Sequence, residues 1–122
     1  MKKKSYIRKE IYSIEEVLPF IGKHKKDYDG DLIKMDSQRY ELFNKKGCKC
    51  VVCGLEGKYF AKERDRKCQT YHFNLYGINE QGEEIMLTKD HIIPKSKGGA
   101  NHISNYQTMC IVCNYAKGDK IK

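Results

Sequence analysis

"TKDHIIPKSKGGANHISNYQTMCIVCNYAKGD" occupies Thr88 to Asp119. The whole chain has four histidines, and one of them, His91, directly follows an aspartate. A loop of Pro, Lys and Gly comes next, and a C-x-x-C pair followed at once by Asn114 lies near the end of the stretch. Pro94 and Gly98-Gly99 break helix and strand alike, so the residues around them are predicted as loop. "NYQTMCIVCNYAKGD" then reads as a cysteine knuckle running into a short terminal helix, which Gly118 ends.

Upstream of this stretch, "TYHFNLYGI" and "EIMLTKDHI" are rich in aromatic and branched residues, and the "NEQGE" between them suits a hairpin. They predict two antiparallel strands, the second delivering Asp90 and His91 at its end. Further back, "CKCVVCG" reads as a first knuckle. Before it, "QRYELFNKKG" predicts a short helix, with Asp36 or Ser37 as N-cap, Lys45 and Lys46 in the last turn and Gly47 just beyond. Ser13 to Glu16 fits a capping box, and Pro19 keeps the helix that follows short. "KKDYDGDLIKMDS" reads as loop with a turn at Asp29-Gly30, residues 1 to 12 as a lysine-rich arm, and Lys58 to Lys67 as charged and without pattern.

The bulk composition bounds the class. At 122 residues the chain is expected to form one domain. Hydrophobic residues make up 39% and charged residues 33%, with no Trp and four Phe, so the core is lean. A small core of that kind usually needs a staple. Glu10, Glu15 and Glu16 interrupt any signal-peptide apolar region, and no apolar run reaches membrane-spanning length, so a cytoplasmic protein is expected. The net charge is +8. Residues 1–26 hold eight basic and three acidic groups, and residues 90–122 hold five and two. Basic charge gathered at the two ends suits a polyanionic partner, nucleic acid above all.

Six cysteines in a chain without a secretory signal favour metal over disulfides. Cys50 with Cys53, and Cys110 with Cys113, each present two sulfurs at ligand spacing, and four thiolates satisfy tetrahedral Zn²⁺ with no open position. Such a site is structural. Cys48 competes with Cys50 but lacks its spacing to Cys53, and Cys68 has no partner and is read as a buried or free thiol.

Hydrolysing a phosphodiester needs an activated water, neutralisation of phosphate charge and stabilisation of the departing oxygen. A neutral imidazole can take the water's proton, and one hard cation on oxygen ligands can serve the other two needs. Asp90 and His91 offer a carboxylate and a base side by side, and adjacent side chains on an extended strand diverge. On its own, an Asp-His pair is more often structural.

The ordered series "CVVCG", "DHIIPKSKGG", "SNYQTMCIVCN" and "KGD" resembles the HNH endonucleases of ββα-metal fold in their zinc-stapled form. The resemblance covers roughly Cys50 to Asp119. It implies a small ββα-metal nuclease domain, placed over residues 47–122; with the basic arm and short helices read over residues 1–46, a helical N-terminal extension, the expected fold is α+β. It implies His91 as general base, Asp90 as ligand of the catalytic cation, Asn105 as the residue that holds the active-site loop and orients the histidine, and Asn114 as the last metal-site position. Asn114 stands where the family's name has His, as in the His-Asn-Asn variant. An amide oxygen suits Mg²⁺, with Mn²⁺ as a substitute, better than softer ions. DNA is the implied substrate, and a phage or mobile-element setting fits by analogy. Lys95, Lys97 and Lys117 flank this site as candidate phosphate contacts. His102 is read as a bystander or phosphate contact, and Tyr71, His72, Phe73 and Tyr76 as packing residues. The alternative is a zinc-ribbon nucleic-acid-binding module without cleavage.

Overall fold

A computed structural model describes residues 6–120. Five antiparallel strands form the main sheet in the order β1-β4-β5-β6-β7: β1 (Tyr6–Ser13), β4 (Tyr59–Asp65), β5 (His72–Ile78), β6 (Glu84–His91) and β7 (Tyr106–Cys110). A small hairpin of β2 (Lys26–Tyr28) and β3 (Asp31–Ile33) stands apart from it. The helices are α1 (Ile14–Val17), α2 (Gln38–Lys46) and α3 (Ile111–Lys117), which makes the fold α+β.

The expected caps are in place. Ser13 and Glu16 form the capping box of α1, and a 3-10 turn holding Pro19 ends it. Ser37 accepts from the Tyr40 amide at the start of α2, and Gly47 follows that helix at φ 99°, a conformation that favours glycine. The β5–β6 hairpin forms with Leu75 opposite Leu87, its loop closed by Asn79.

Four expectations need correction. Residues 1 to 12 are from Tyr6 onward no arm but edge strand β1, paired with β4; Met1 to Ser5 lie outside the described residues. The N-terminal extension is therefore mixed rather than helical. Within the segment from Lys25 to Ser37, residues 26–33 form the β2–β3 hairpin around the Asp29-Gly30 turn, and only Lys25 and Lys34 to Ser37 remain loop. "YFAKERD", within the stretch without pattern, is the inner strand β4. The knuckle at Cys110 is preceded by a strand, β7, absent from the expectation.

These corrections share a cause, which is that the missing partners are distant in sequence. Phe73, at the centre of the sheet, meets the rings of Tyr12, Tyr28, Tyr40 and Phe60 at centroid distances of 5.5, 4.8, 6.3 and 5.9 Å. Three of those rings come from the first 46 residues, so the small hairpin and α2, with Tyr12 of the sheet's own strand β1, complete the core around Phe73. Aromatic edge contacts of this sort supply packing that a lean aliphatic content cannot. Strand β4 carries charge inward: Lys62 is fully buried and Glu63 nearly so. The Lys62 ammonium donates to Asp31 and Glu10 at 2.7 Å each and to the Tyr28 carbonyl at 2.7 Å. Burial alone would lower its pKa, but these partners outweigh it and the net shift is upward. On the opposite face Glu63 accepts from Arg8 at 2.5 Å, and from Asn74 and Tyr76 at 2.7 Å each.

Candidate functional site

Strand β6 delivers the Asp-His pair to its own end, across from β7. Alternation puts Lys89 and His91 on the face covered by α2, and Thr88 and Asp90 on the face covered by α3. The His91 ring packs edge-on against Tyr106 at 5.0 Å, and its Nε2 meets Asn101 Oδ1 at 2.8 Å.

Asp90 is buried. Its Oδ2 accepts from Gln107 Nε2 at 2.9 Å and from Lys117 Nζ at 2.8 Å. Asn114, in the first turns of α3, donates to Thr88 Oγ1 at 2.9 Å. Among the described residues neither Asp90 Oδ1 nor Asn114 Oδ1 receives a hydrogen bond. Asp90, His91, Lys95, Asn114 and Asp119 line one depression of about 320 Å³. Two uncommitted hard oxygens in an open polar recess fit a cation such as Mg²⁺.

The loop between β6 and β7 is built around Asn105. Its Oδ1 accepts from the Ile93 amide at 2.9 Å, and its Nδ2 donates to the carbonyls of Ile93 and Ala100 at 3.0 Å each. The Asn105 carbonyl also accepts from the Ile92 amide at 2.8 Å. Gly99 runs so close that a Cβ there would stand 1.7 Å from the Ile93 carbonyl oxygen, which only glycine permits. His102 caps the 3-10 turn Ile103–Asn105 through Ser104, so its ring is committed to the loop.

Lys117 requires a correction. Expected to contact phosphate, it is buried, and besides Asp90 it donates to the His91 carbonyl at 2.5 Å. Lys95 and Lys97 are exposed, and Lys95 alone of the two lines the depression. Sequence reading missed two residues of this neighbourhood, Asn101 and Gln107. Gln107 lies directly across from Asp90 in the β6–β7 pairing, a relation hidden without β7. Asn101 sits in the loop with no local signal.

The sulfurs of Cys50, Cys53, Cys110 and Cys113 lie within 4.8 Å of one another, an arrangement that could hold a metal such as zinc. Cys53 and Cys110 are 3.7 Å apart. Zinc–sulfur bonds of about 2.3 Å in a tetrahedron separate sulfurs by about 3.8 Å, so the spacing fits. Cys110 ends β7 and is the N-cap of α3, its sulfur accepting from the Cys113 amide at 3.5 Å. Burial pushes the Cys50 thiol up, but hydrogen bonding from the backbone of Cys110, Cys53 and Val52 outweighs it and brings the thiol to about 7. Burial raises Cys110 and Cys113, so in the absence of a cation these two resist ionising beside Cys50. Cys48 is outside the cluster, raised to about 11 by burial, and Cys68 is exposed.

The recess thus brings an imidazole, that of His91, beside the side-chain oxygens of Asp90 and Asn114. Residues 79–122 match the family model described as HNH endonuclease. This likeness, over 44 of the 122 residues, suggests a nuclease acting on nucleic acid. Comparison with curated proteins and with solved structures gave no match. Among the described residues no helix is long and apolar enough to cross a membrane.

Proposed function

We propose that this chain is a metal-dependent endonuclease that hydrolyses DNA phosphodiester bonds. In this reading β6, β7 and α3 form the ββα-metal unit in its His-Asn-Asn variant. The observation that carries it is the meeting of Asp90, His91 and Asn114 at one recess, with Asp90 Oδ1 and Asn114 Oδ1 outside the hydrogen bonds that engage Asp90 Oδ2 and Asn114 Nδ2.

His91 takes the proton from the attacking water. With Asn101 Oδ1 as acceptor, Nε2 carries the hydrogen and Nδ1 keeps the lone pair that acts as base. Asn105 fixes both ends of the loop beside it. Asp90 and Asn114 hold Mg²⁺, or Mn²⁺ in its place, which when bound neutralises phosphate charge and stabilises the leaving oxygen. Lys117 saturates Asp90 Oδ2, so a single oxygen of that carboxylate is left for an ion. Lys95 and Lys97 are offered to neighbouring phosphates. The four cysteines hold a structural Zn²⁺.

Nicking of supercoiled plasmid in Mg²⁺ tests this reading. Wild type should convert it to open circles, while His91→Ala should lose activity by about 10²–10⁴-fold, the usual contribution of a general base. Equal cleavage by both proteins removes His91 from the chemistry. DNA binding without cleavage by wild type would instead support a zinc-ribbon binding module.

A further inference from the structure

The cations among the described residues differ in their partners. Arg8, Lys9 and Lys62 are each paired with carboxylates of Glu63, Glu84, Asp31 or Glu10. Lys34, Arg39 and Lys89 are not: among the described residues no carboxylate pairs with any of them. These three line one groove of about 670 Å³, between the start of α2 and strands β5 and β6.

The groove is held in shape. Arg39 donates to the Phe73 carbonyl at 2.6 Å, while its buried Nε has no partner. Lys89 donates to Gln38 at 3.1 Å, and its ammonium lies 4.3 Å from the centre of the Tyr106 ring. Burial, and then the charges of Arg39 and Lys95, lower the Lys89 pKa. Gathering cations without counter-charge is unfavourable in the free protein, and a polyanion relieves it.

Lys89 also lines the recess of Asp90 and His91, so the groove opens beside it. Lys89 and His91 project from one face of β6, two residues or about 6–7 Å apart. That distance is comparable to the step between neighbouring phosphates of a nucleic-acid strand.

We propose that this groove is the track for the substrate strand on one side of the scissile phosphate, with Arg39 and Lys89 contacting successive backbone phosphates. The assignment rests on the nuclease reading but is tested by binding rather than by cleavage.

Binding is measured by fluorescence anisotropy with a labelled DNA oligonucleotide, single-stranded and as a duplex, in a His91→Ala background that prevents turnover. Arg39→Gln with Lys89→Gln should weaken binding about tenfold and reduce the salt slope on single strands by about 1.4, the value for two phosphate contacts. Lys45→Gln with Lys58→Gln, removing the same charge from exposed positions outside the groove and both basic ends, should change neither. Methylphosphonates placed singly along the strand should weaken binding by the parent protein at one or two positions to one side of the cut, and not by the groove variant. If Arg39→Gln impairs folding, Lys89→Gln alone should show half the salt effect.

Equal loss in groove and control variants, full affinity in the groove variant, or no binding of either DNA form by the folded parent protein would each overturn the track. Failure of plasmid cleavage with binding intact would overturn the nuclease reading and leave the groove's role to the binding data.

Discussion

Lys117 shows how one side chain can change the meaning of a motif. Its ammonium touches Asp90 Oδ2 and the His91 carbonyl, so it braces two neighbouring positions of the proposed centre from behind. Lys117→Met should therefore lower kcat by about 10- to 100-fold, as loss of a partner behind a metal ligand does, with KM for DNA near wild type. Lys117→Arg should recover part of the loss. A lysine that gripped phosphate would show the reverse split, a raised KM with kcat retained. Asp90, His91, Asn105 and Asn114 stand out in the sequence as candidates because they lie in one continuous stretch. The bracing role of Lys117 could not, because its partner is 27 positions away. Asn101 was hidden for a different reason, since loop asparagines usually serve turns.

Among the elements, β4 was the hardest to read and is the most instructive. Its Lys-Glu-Arg-Asp run resembles a solvated loop by hydropathy alone, yet the Lys62 and Glu63 side chains lie inside, satisfied by β1, β3 and β5. Sequence patterning registers charge and has no access to the partner that cancels it. Lys62→Met keeps the apolar stem and removes the buried donor, and should cost about 1–3 kcal/mol. The exposed Lys67→Met should stay within about 0.5 kcal/mol. Urea denaturation of the two variants measures both, and equal stabilities would show that the Lys62 network contributes nothing. The β5–β6 hairpin and α2 were legible for the opposite reason: their alternation, caps and turn residues are local signals. Strand β7 was masked because its few residues merge into the cysteine knuckle.

The molecule as a whole is joined by contacts between distant parts of the chain. The first 46 residues close the aromatic core, and the four cysteines bring residues 50 and 53 against 110 and 113. On the zinc reading, stripping the ion should unfold much more than a loop, because β7 and α3 meet at Cys110. Prolonged treatment with a strong chelator should release one equivalent of zinc per chain, read with a colorimetric indicator, and should lower the melting temperature in circular dichroism. An unchanged melting curve after complete release would overturn the staple. That the cysteines converge was legible from two C-x-x-C spacings, whereas the reach of their effect depends on β7.

Cys113 and Asn114 are consecutive residues, so a single peptide bond separates the sulfur cluster from the proposed active centre. No intervening hinge can absorb a disturbance of one before it reaches the other. On the zinc reading, loosening of the cysteines by heat, oxidants or scarcity of the ion would be felt at once at the Asn114 amide oxygen. On the nuclease and zinc readings together, the working range of the enzyme would be that of its sulfur anchor.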